Sequence, residues 1–534
     1  MKETKLSKQQ LEVIQANNGL SRYLSGLSEG KEATPRSNLY NLEGKTSLLQ
    51  PDTILKRWQS KLSTLENGDT FDRNVFQFDS AQLQKWGPQG AVPPISDILE
   101  EIVYPSFTSS GKSPNLFSTA AWALAKRHVV KYMHNAGAKG LSPVPYKRVL
   151  DDMRARDTLE SNSGWPLFTR RNKPEVITQS IQAAENGLWK TYPAIALFRN
   201  YNQKTRLVWM FPMSTNLVEG SFFQPLQLVL MRSKYEIAKR FLSPWSGFEL
   251  VRDYCTTVYD KGQFMYASDF SSTDAHFKLR TTMEVYDVIS QCFQPRFRSA
   301  LKDSLIHMHE IPLVIGKDSM LTGEHGVSSG SNWTNFVETI FDWILAEYVS
   351  GETNPQTLGL YAIGDDMSWY SIAYDEHFAS VLADIGEGVG QEIKADKTTV
   401  DRDKVKSLQR LFQRGYKRSD GKLRAVYSTI RALKSLVYPE RFHKPELWTK
   451  DMEAIRDFMI LENCVDHPLF KEFCKFVSDG DPNLKVVAKM SSSRQNKILR
   501  QSKLVPGLNP TYNQEKRDKP LSDFESVKLL SKFS

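Results

Sequence analysis

The sequence predicts an α+β protein, and three observations carry the prediction. Residues 361–370 read Tyr-Ala-Ile-Gly-Asp-Asp-Met-Ser-Trp-Tyr. Apolar residues lead into Gly-Asp-Asp and alternating residues lead out, a hairpin whose turn is Gly364 and Asp365. Residues 263–276 read as an apolar strand ending at Asp269, then helix N-cap types from Ser271 to Thr273, then a helical pattern to about residue 293. Long helical stretches cover residues 117–136, residues 222–241 and the segment with Phe336, Ile340 and Ile344 on one face. Antiparallel strands with helices on one face make an α+β layering.

Length and composition set the frame. The chain has 534 residues and 61.0 kDa, too long for one simple core and enough for about three subdomains. Apolar residues make up 40% and charged residues 25%, which excludes a disordered or fibrous chain. With 70 Lys+Arg against 61 Asp+Glu the formal charge is +9, a balance that suits a polyanionic partner. The cysteines, Cys255, Cys292, Cys464 and Cys474, form no Cys-x-x-Cys pair. They read as reduced, buried thiols of an intracellular protein, not a zinc site. His307 and His309 lack a second ligand pair and read as ordinary strand or loop histidines. Residues 1–10 are charged without an apolar core, so no signal peptide is expected. No apolar run of about 18 residues occurs, so no membrane span is expected.

Taken in order, residues 1–70 mix short helical patterns with Gly, Ser and Asn breaks, a strap across a larger body. The helix over residues 117–136 carries Lys126, Arg127, His128 and Lys131 in its later part. Residues 160–174 form an irregular loop fixed by Gly164 and Pro166 and followed by Arg170, Arg171 and Lys173. The loop suits a passing phosphate backbone or a plain surface turn, and the segment alone leaves both open. Lys204 and Arg206 alternate just before an apolar strand and so point to one side, with Arg199 upstream, a fork fit for a triphosphate. Asp269 at a strand end and Asp274 in the next helix's first turn can face one crevice. Alone, Asp274 is also a favourable helix N-terminal charge. Residues 328–332 form a small-residue loop before a long helix, a source of hydrogen bonds to sugar or phosphate or simply a cap. A helix over residues 375–385 follows the acidic hairpin, and residues 407–426 read as a second hairpin with its turn at Ser419-Asp420-Gly421. From about residue 433 the pattern is mostly helical. Residues 480–534 hold eleven Lys/Arg and five Asp/Glu, so 11 − 5 = +6 of the charge lies there.

Two adjacent carboxylates at a buried hairpin tip repel each other, and a divalent cation removes that cost. An acidic turn alone is more often a solvated loop; its neighbours change the reading. In this order the stretches resemble the signature motifs of viral RNA-dependent RNA polymerases. Gly364-Asp365-Asp366 resembles motif C, Asp269-x4-Asp274 motif A, and Ser329-Gly330 with Thr334 motif B. Lys204 and Arg206 resemble motif F, Asn162 to Pro166 motif G, Ala395-Asp396-Lys397 motif D, and Leu411 to Gly415 motif E. The resemblance covers roughly residues 160–415 and is greatest to the picobirnavirus–partitivirus group of double-stranded RNA viruses, picobirnavirus first. One departure stands out. Many members carry Asn four residues after the motif B threonine. Here that position is Glu338, while Asn335 follows Thr334 directly, and both remain candidates to lie near the ribose.

The resemblance implies a closed right hand. The expected parts are an N-terminal strap over 1–70, fingers over 71–255, palm over 256–293, a fingers insertion over 294–320, palm over 321–420, and thumb with a C-terminal tail over 421–534. It implies RNA-templated RNA synthesis with Mg²⁺, for which Mn²⁺ can substitute. Asp269 and Asp365 are the expected main metal ligands, with Asp366 auxiliary and Lys397 a general acid in competition with Lys394. Arg199, Lys204, Arg206, Asp274, Ser329, Gly330, Thr334 and Asn335 are expected at the nucleotide. Ser163, Gly164, Trp165, Pro166, Arg170, Arg171 and Arg414 are expected along RNA. Implied partners are template and nascent RNA, nucleoside triphosphates and a viral capsid protein, without a membrane, in the particle interior and host cytoplasm. Start without a primer is implied too, with residues 503–534 and Tyr512 filling the empty channel or forming a disordered appendage. A reverse transcriptase shares the aspartates but excludes the 2′-hydroxyl with a bulky aromatic, and Asp274 argues against it. A basic RNA-packaging protein needs neither cluster.

Overall fold

In the computed structural model, which describes residues 1–41, 48–109, 111–156, 158–352, 357–442, 444–505 and 519–533, the acidic hairpin is central. Its arms are β7 (Thr357–Ile363) and β8 (Asp366–Ser371), with Gly364 and Asp365 as the turn. β4 (Phe264–Ser271) pairs antiparallel with β8, and β10 (Thr399–Val400) and β9 (Glu392–Ile393) pair antiparallel with β4. The helix Trp333–Glu352 packs on β7 and on the helix Ala120–Asn135. Its apolar residues point all round because it is buried all round. Tyr266, Trp122, Trp343, Trp369 and Ile340 fill the layer between sheet and helices.

A second sheet forms the fingers in the order β1 (Lys2–Lys5), β6 (Ser319–Thr322), β5 (Leu313–Val314), β2 (Ala194–Tyr201), β3 (Lys204–Met210). β2 and β3 form a hairpin whose turn, Asn202 and Gln203, takes positive φ of 54° and 61°. Lys204 and Arg206 therefore lie on the return strand rather than before a strand, and both are exposed on it.

The helices Thr429–Val437, Lys450–Glu462 and Phe470–Gly480 build the thumb around Leu433, Phe458 and Phe473. The N-terminal strap enters this core through Ile54, Trp58 and Leu62 of the helix Pro51–Leu62. So does Val75 of the helix Thr70–Ser80, a segment whose position in the chain suggested fingers. Asp79 of that helix is buried and caps the thumb helix Thr429–Val437. It accepts the Thr429 and Ile430 backbone N–H groups at 3.0 and 2.9 Å, the Ser428 and Thr429 hydroxyls at 2.5 Å each, and lies 2.9 Å from His467 Nε2. Burial alone would raise the Asp79 carboxyl, but the His467 bond and charge and the two hydroxyls outweigh it and hold it below the usual aspartate range. Asp79→Ala is therefore expected to cost about 3–5 kcal/mol, because it orphans several buried donors at once. A depressed carboxylate stabilises above its unfolded pKa, about 4. This contribution is present at neutral pH and is lost as pH falls below that value toward the native pKa. Chemical denaturation at neutral and acid pH checks both: the mutational penalty should shrink in acid.

Several expected elements are redrawn. The stretch 222–241 is two helices, Met213–Arg232 and Glu236–Phe241. The helix after Asp269 splits into Thr273–His276 and Leu279–Ile289. The helix after the acidic hairpin runs Phe378–Gly388. A further hairpin joins β11 (Lys404–Ser407) to β12 (Arg410–Gln413) and turns at Leu408 and Gln409. Leu and Gln at positive φ give no turn signal. The expected hairpin around Ser419-Asp420-Gly421 is present, with the antiparallel bridges Leu411–Val426 and Lys417–Leu423 on either side of the turn. His307 and His309 lie on the helix Arg298–Glu310, not on a strand or loop. Burial pushes His309 down to about 3, a neutral core histidine 2.7 Å from Thr282 Oγ1. The four cysteines are buried and unpaired. Among the described residues no helix is long and apolar enough to cross a membrane. Tyr512 lies outside the described residues.

Candidate active site

The antiparallel register of β4 and β8 sets Asp269 directly opposite Asp366, so two chain-distant acids meet at the hairpin's mouth. Gly364 turns the chain with φ of 57°. Its N–H donates to Thr339 Oγ1 at 2.9 Å, which anchors the turn on the helix Trp333–Glu352. A Cβ at Gly364 would meet Asn335 Nδ2 at 2.9 Å and Glu338 Oε2 at 3.4 Å. Asn335 is open to the cleft; Glu338 is buried beneath the turn.

Negative charge accumulates here beyond what protein can compensate. Asp274, Asp365 and Asp366 are reached by solvent along the cleft while protein crowds their other sides. Burial, then Asp365 and Asp269, pushes Asp366 up to about 7. Burial, then Asp365, pushes Asp274 up to about 6, opposed by Arg206. Asp365 is raised by burial and by Asp269, opposed by its backbone hydrogen bond and Arg206. Behind them, Glu338 and Asp342 are pushed well up by burial and by these aspartates, and each keeps one buried oxygen without a partner. Neutral acids at these positions avoid stacking like charges in low dielectric.

Cations face the acids. Lys397, on a turn following β9, lies 3.7 Å from Asp269 Oδ2, and Lys394 lies 3.7 Å from Glu392 Oε1. Arg206 acts on both Asp274 and Asp365. Lys85, just after the helix Thr70–Ser80, is pushed down to about 8 by burial and then by Arg431, Lys406, Lys204 and Arg206. Lys434 is pushed down to about 7 by burial, Arg431 and Lys85. Of this cationic wall only the Lys204–Arg206 alternation was legible in sequence: Lys85, Lys397, Lys406, Arg431 and Lys434 lie on other elements, and no spacing links them to β3.

Other expected site residues have different surroundings. Arg199 pairs with Arg206 across the hairpin and spends its guanidinium on Glu440 of the thumb, with two contacts of 2.7 Å. Lys434 likewise binds Asn202 Oδ1 at the fingertip turn, so fingers and thumb touch and the hand is closed. Ser329 and Gly330 lie against β3. The Ser329 hydroxyl donates to Leu207 O at 3.4 Å, and a Cβ on Gly330 would overlap the Trp209 carbonyl. Thr334 turns back to donate to Ser328 O at 2.6 Å, holding the loop rather than facing the cleft. Ser163, Gly164 and Trp165 are buried, Pro166 is half-buried, and Arg170 is exposed 3.5 Å from Glu160. Arg171 spends its donors on Asn162 O and Asn216 Oδ1, at 3.0 Å each. Arg414 is tied to Asp403, Tyr259 O, Gln263 O and Arg402 O under the palm. The irregular 160–174 loop suggested RNA contact for Arg171, and the resemblance implied it for Arg414; their partners make them braces of the scaffold.

Comparison with known proteins agrees with this geometry. Residues 201–455 match the family described as viral RNA-dependent RNA polymerase. The chain is 26% identical over 505 residues to a potential RNA-dependent RNA polymerase of human picobirnavirus (strain Human/Thailand/Hy005102/-), covering 87% of this chain and 85% of that one. Its fold superposes on the crystal structure of a human picobirnavirus RNA-dependent RNA polymerase with TM-score 0.80 at 21% identity, covering 99% of each chain. An insertion-loop deletion mutant of such an enzyme gives TM-score 0.76 at 22% identity, again over 99% of each. The matched residues span the Asp269 strand and the Asp365 hairpin, the fold is shared from end to end with the human picobirnavirus enzyme, and the chain is an RNA-dependent RNA polymerase.

Proposed function

We propose that the chain adds ribonucleotides to an RNA 3′ end by two-metal nucleotidyl transfer, and that it can begin without a primer. The convergence of Asp269, Asp365 and Asp366 at one cleft carries the reading. Three hard carboxylates that burden each other in the free protein fit a pair of divalent cations such as Mg²⁺, with Mn²⁺ the alternative. When bound, such ions stabilise the attacking and leaving oxygens of an in-line displacement.

The chain's own residues supply the rest. Asp269 and Asp365 would hold the ions, with Asp366 beside them. Lys204 and Arg206 project from one side of β3 over the cleft and suit the triphosphate. Lys397, beside Asp269, is placed to give a proton to the departing pyrophosphate. Lys85, Lys406 and Arg431 line a wall whose mutual repulsion is relieved by RNA phosphates. A capsid protein partner and residence in the virus particle and host cytoplasm belong to the same proposal and rest on the resemblance.

Sugar choice falls to Asp274 and the cleft-facing Asn335, with Glu338 buried behind them. Asp274→Ala is expected to lower discrimination between ribo- and deoxyribonucleotides about 10–100-fold while leaving deoxyribonucleotide incorporation nearly unchanged. kcat/KM for both sugars measures it, and an unchanged ratio would move the role to Asn335 alone. Primer extension with ribonucleotides and Mg²⁺, against deoxyribonucleotides, tests the activity itself. Extension with deoxyribonucleotides only would return the reverse-transcriptase reading.

A further inference from the structure

A buried polar network outside the reacting carboxylates joins three segments far apart in the chain. Its hub is Glu219, on the helix Met213–Arg232 and 1% exposed. One oxygen, Oε1, accepts the Asn332 backbone N–H at 3.0 Å and Asn216 Nδ2 at 2.9 Å. The other, Oε2, accepts the Ser331 hydroxyl. Asn216 reaches two ways: its Nδ2 also donates to Gly330 O at 3.2 Å, and its Oδ1 accepts Arg171 Nη2 at 3.0 Å. Arg171 Nε then donates to Asn162 O at 3.0 Å. The 328–332 loop is thus pulled onto Glu219 from beneath while Ser329 and Gly330 press on β3 above. The loop leads into the helix whose Asn335 and Thr339 underlie Gly364.

The residue type matters. Two N–H donors meet one oxygen and the Ser331 hydroxyl meets the other, which an ionised carboxylate satisfies as they stand; an amide keeps only one acceptor end, so the Ser331 hydroxyl has to reverse and accept. A buried carboxylate is retained only where hydrogen bonds and a cation face it. Burial pushes Glu219 up to about 7, against the lowering effect of Ser331, Asn332, Asn216 and the Arg171 charge.

We propose that Glu219 is a positioning residue for nucleotide addition: it holds the 328–332 loop where Ser329, Gly330 and Asn335 meet the incoming nucleotide, and through Asn216 and Arg171 ties that loop to the 162–171 loop. The proposal rests on the polymerase reading of the cleft.

The test compares wild type, Glu219→Gln and Ser331→Ala on a preformed primer–template at about pH 6 to 8, together with hydrogen exchange of the Asn332 amide. Glu219→Gln is expected to raise KM for ribonucleotides about tenfold and to lower ribose discrimination, with RNA affinity unchanged. In wild type, KM rises as pH falls through about 7, because protonation reverses the Ser331 hydrogen bond and removes the charge that faces Arg171. Arg171 is the charged group facing it; Asn216, Ser331 and Asn332 do not titrate. Glu219→Gln lacks that component of the profile. Ser331→Ala moves KM the same way by less and carries the test if the glutamine variant does not fold. Asn332 exchanges faster in both variants. Wild-type KM, discrimination and pH profile in Glu219→Gln, with Asp365→Ala inactive, overturn this inference alone. Absence of incorporation by the wild type overturns the polymerase chemistry instead, and unchanged Asn332 exchange then overturns the loop anchor too.

Discussion

Replacing Asp365 by alanine is expected to abolish nucleotide incorporation, as is replacing Asp269, while the folded protein keeps its stability. The carboxyls at the cleft are raised by burial and then by crowding each other. Removing Asp365 therefore lightens a load borne by Asp366, Asp274 and Glu338. A structural residue would do the opposite. Tm should not fall, while single-turnover incorporation should drop below detection, since a hard ligand is gone from a two-ion site. The pH dependence has a definite sign. A carboxyl whose folded pKa lies above its unfolded value contributes stability at low pH and loses it as pH climbs. For Asp366 the window runs from about 4 to about 7. The ion-free protein should lose stability across that range, and Mg²⁺ should restore it, raising Tm more at the neutral end than at the acid end. In Asp365→Ala this Mg²⁺-dependent rise should shrink. Elongation at near wild-type rate by either variant would sink the assignment.

Replacing Lys397 by leucine should slow the chemical step about 10²–10⁴-fold. Lys397 lies 3.7 Å from Asp269 with both side chains about half exposed. A pair so exposed contributes little to stability, so a merely structural Lys397 predicts an almost silent mutation. A proton donor predicts a rate loss in single turnover, partial retention in Lys397→His, and a displaced pH profile. Lys394 is the internal control: it lies beside Glu392 rather than Asp269, and Lys394→Leu should leave the chemical step near wild type. A normal single-turnover rate in Lys397→Leu would pass the role to another group.

What could be read from the chain alone was the chemistry with local signatures. A Gly-Asp-Asp turn needs one glycine at positive φ and two apolar arms, all within ten residues of sequence. Asp269 closes a strand and Asp274 follows in the next helix, so their placement depends on near neighbours. Alternation put Lys204 and Arg206 on one side of a strand, and they are there. These features rest on backbone periodicity, which a short window contains.

Partnership was decided only by the tertiary structure. Arg171, Arg199 and Arg414 carry the same charge in sequence as Arg206, yet carboxylates, carbonyls and an amide oxygen from distant segments occupy them. Burial turned Ser163, Gly164 and Trp165 inward, and it left Asn335 in the cleft while covering Glu338. Glu219, Lys85 and Lys434 matter through neighbours more than a hundred residues away. A side chain's role depends on solvation and on which opposite charges lie within a few ångströms, and both are properties of the packed chain. The sequence by itself therefore determined that acids stand at a strand end and at a hairpin tip, through local backbone pattern. Only the packed fold decided which cations remain free to meet the substrate, because burial and long-range pairing determine which charges are already neutralised.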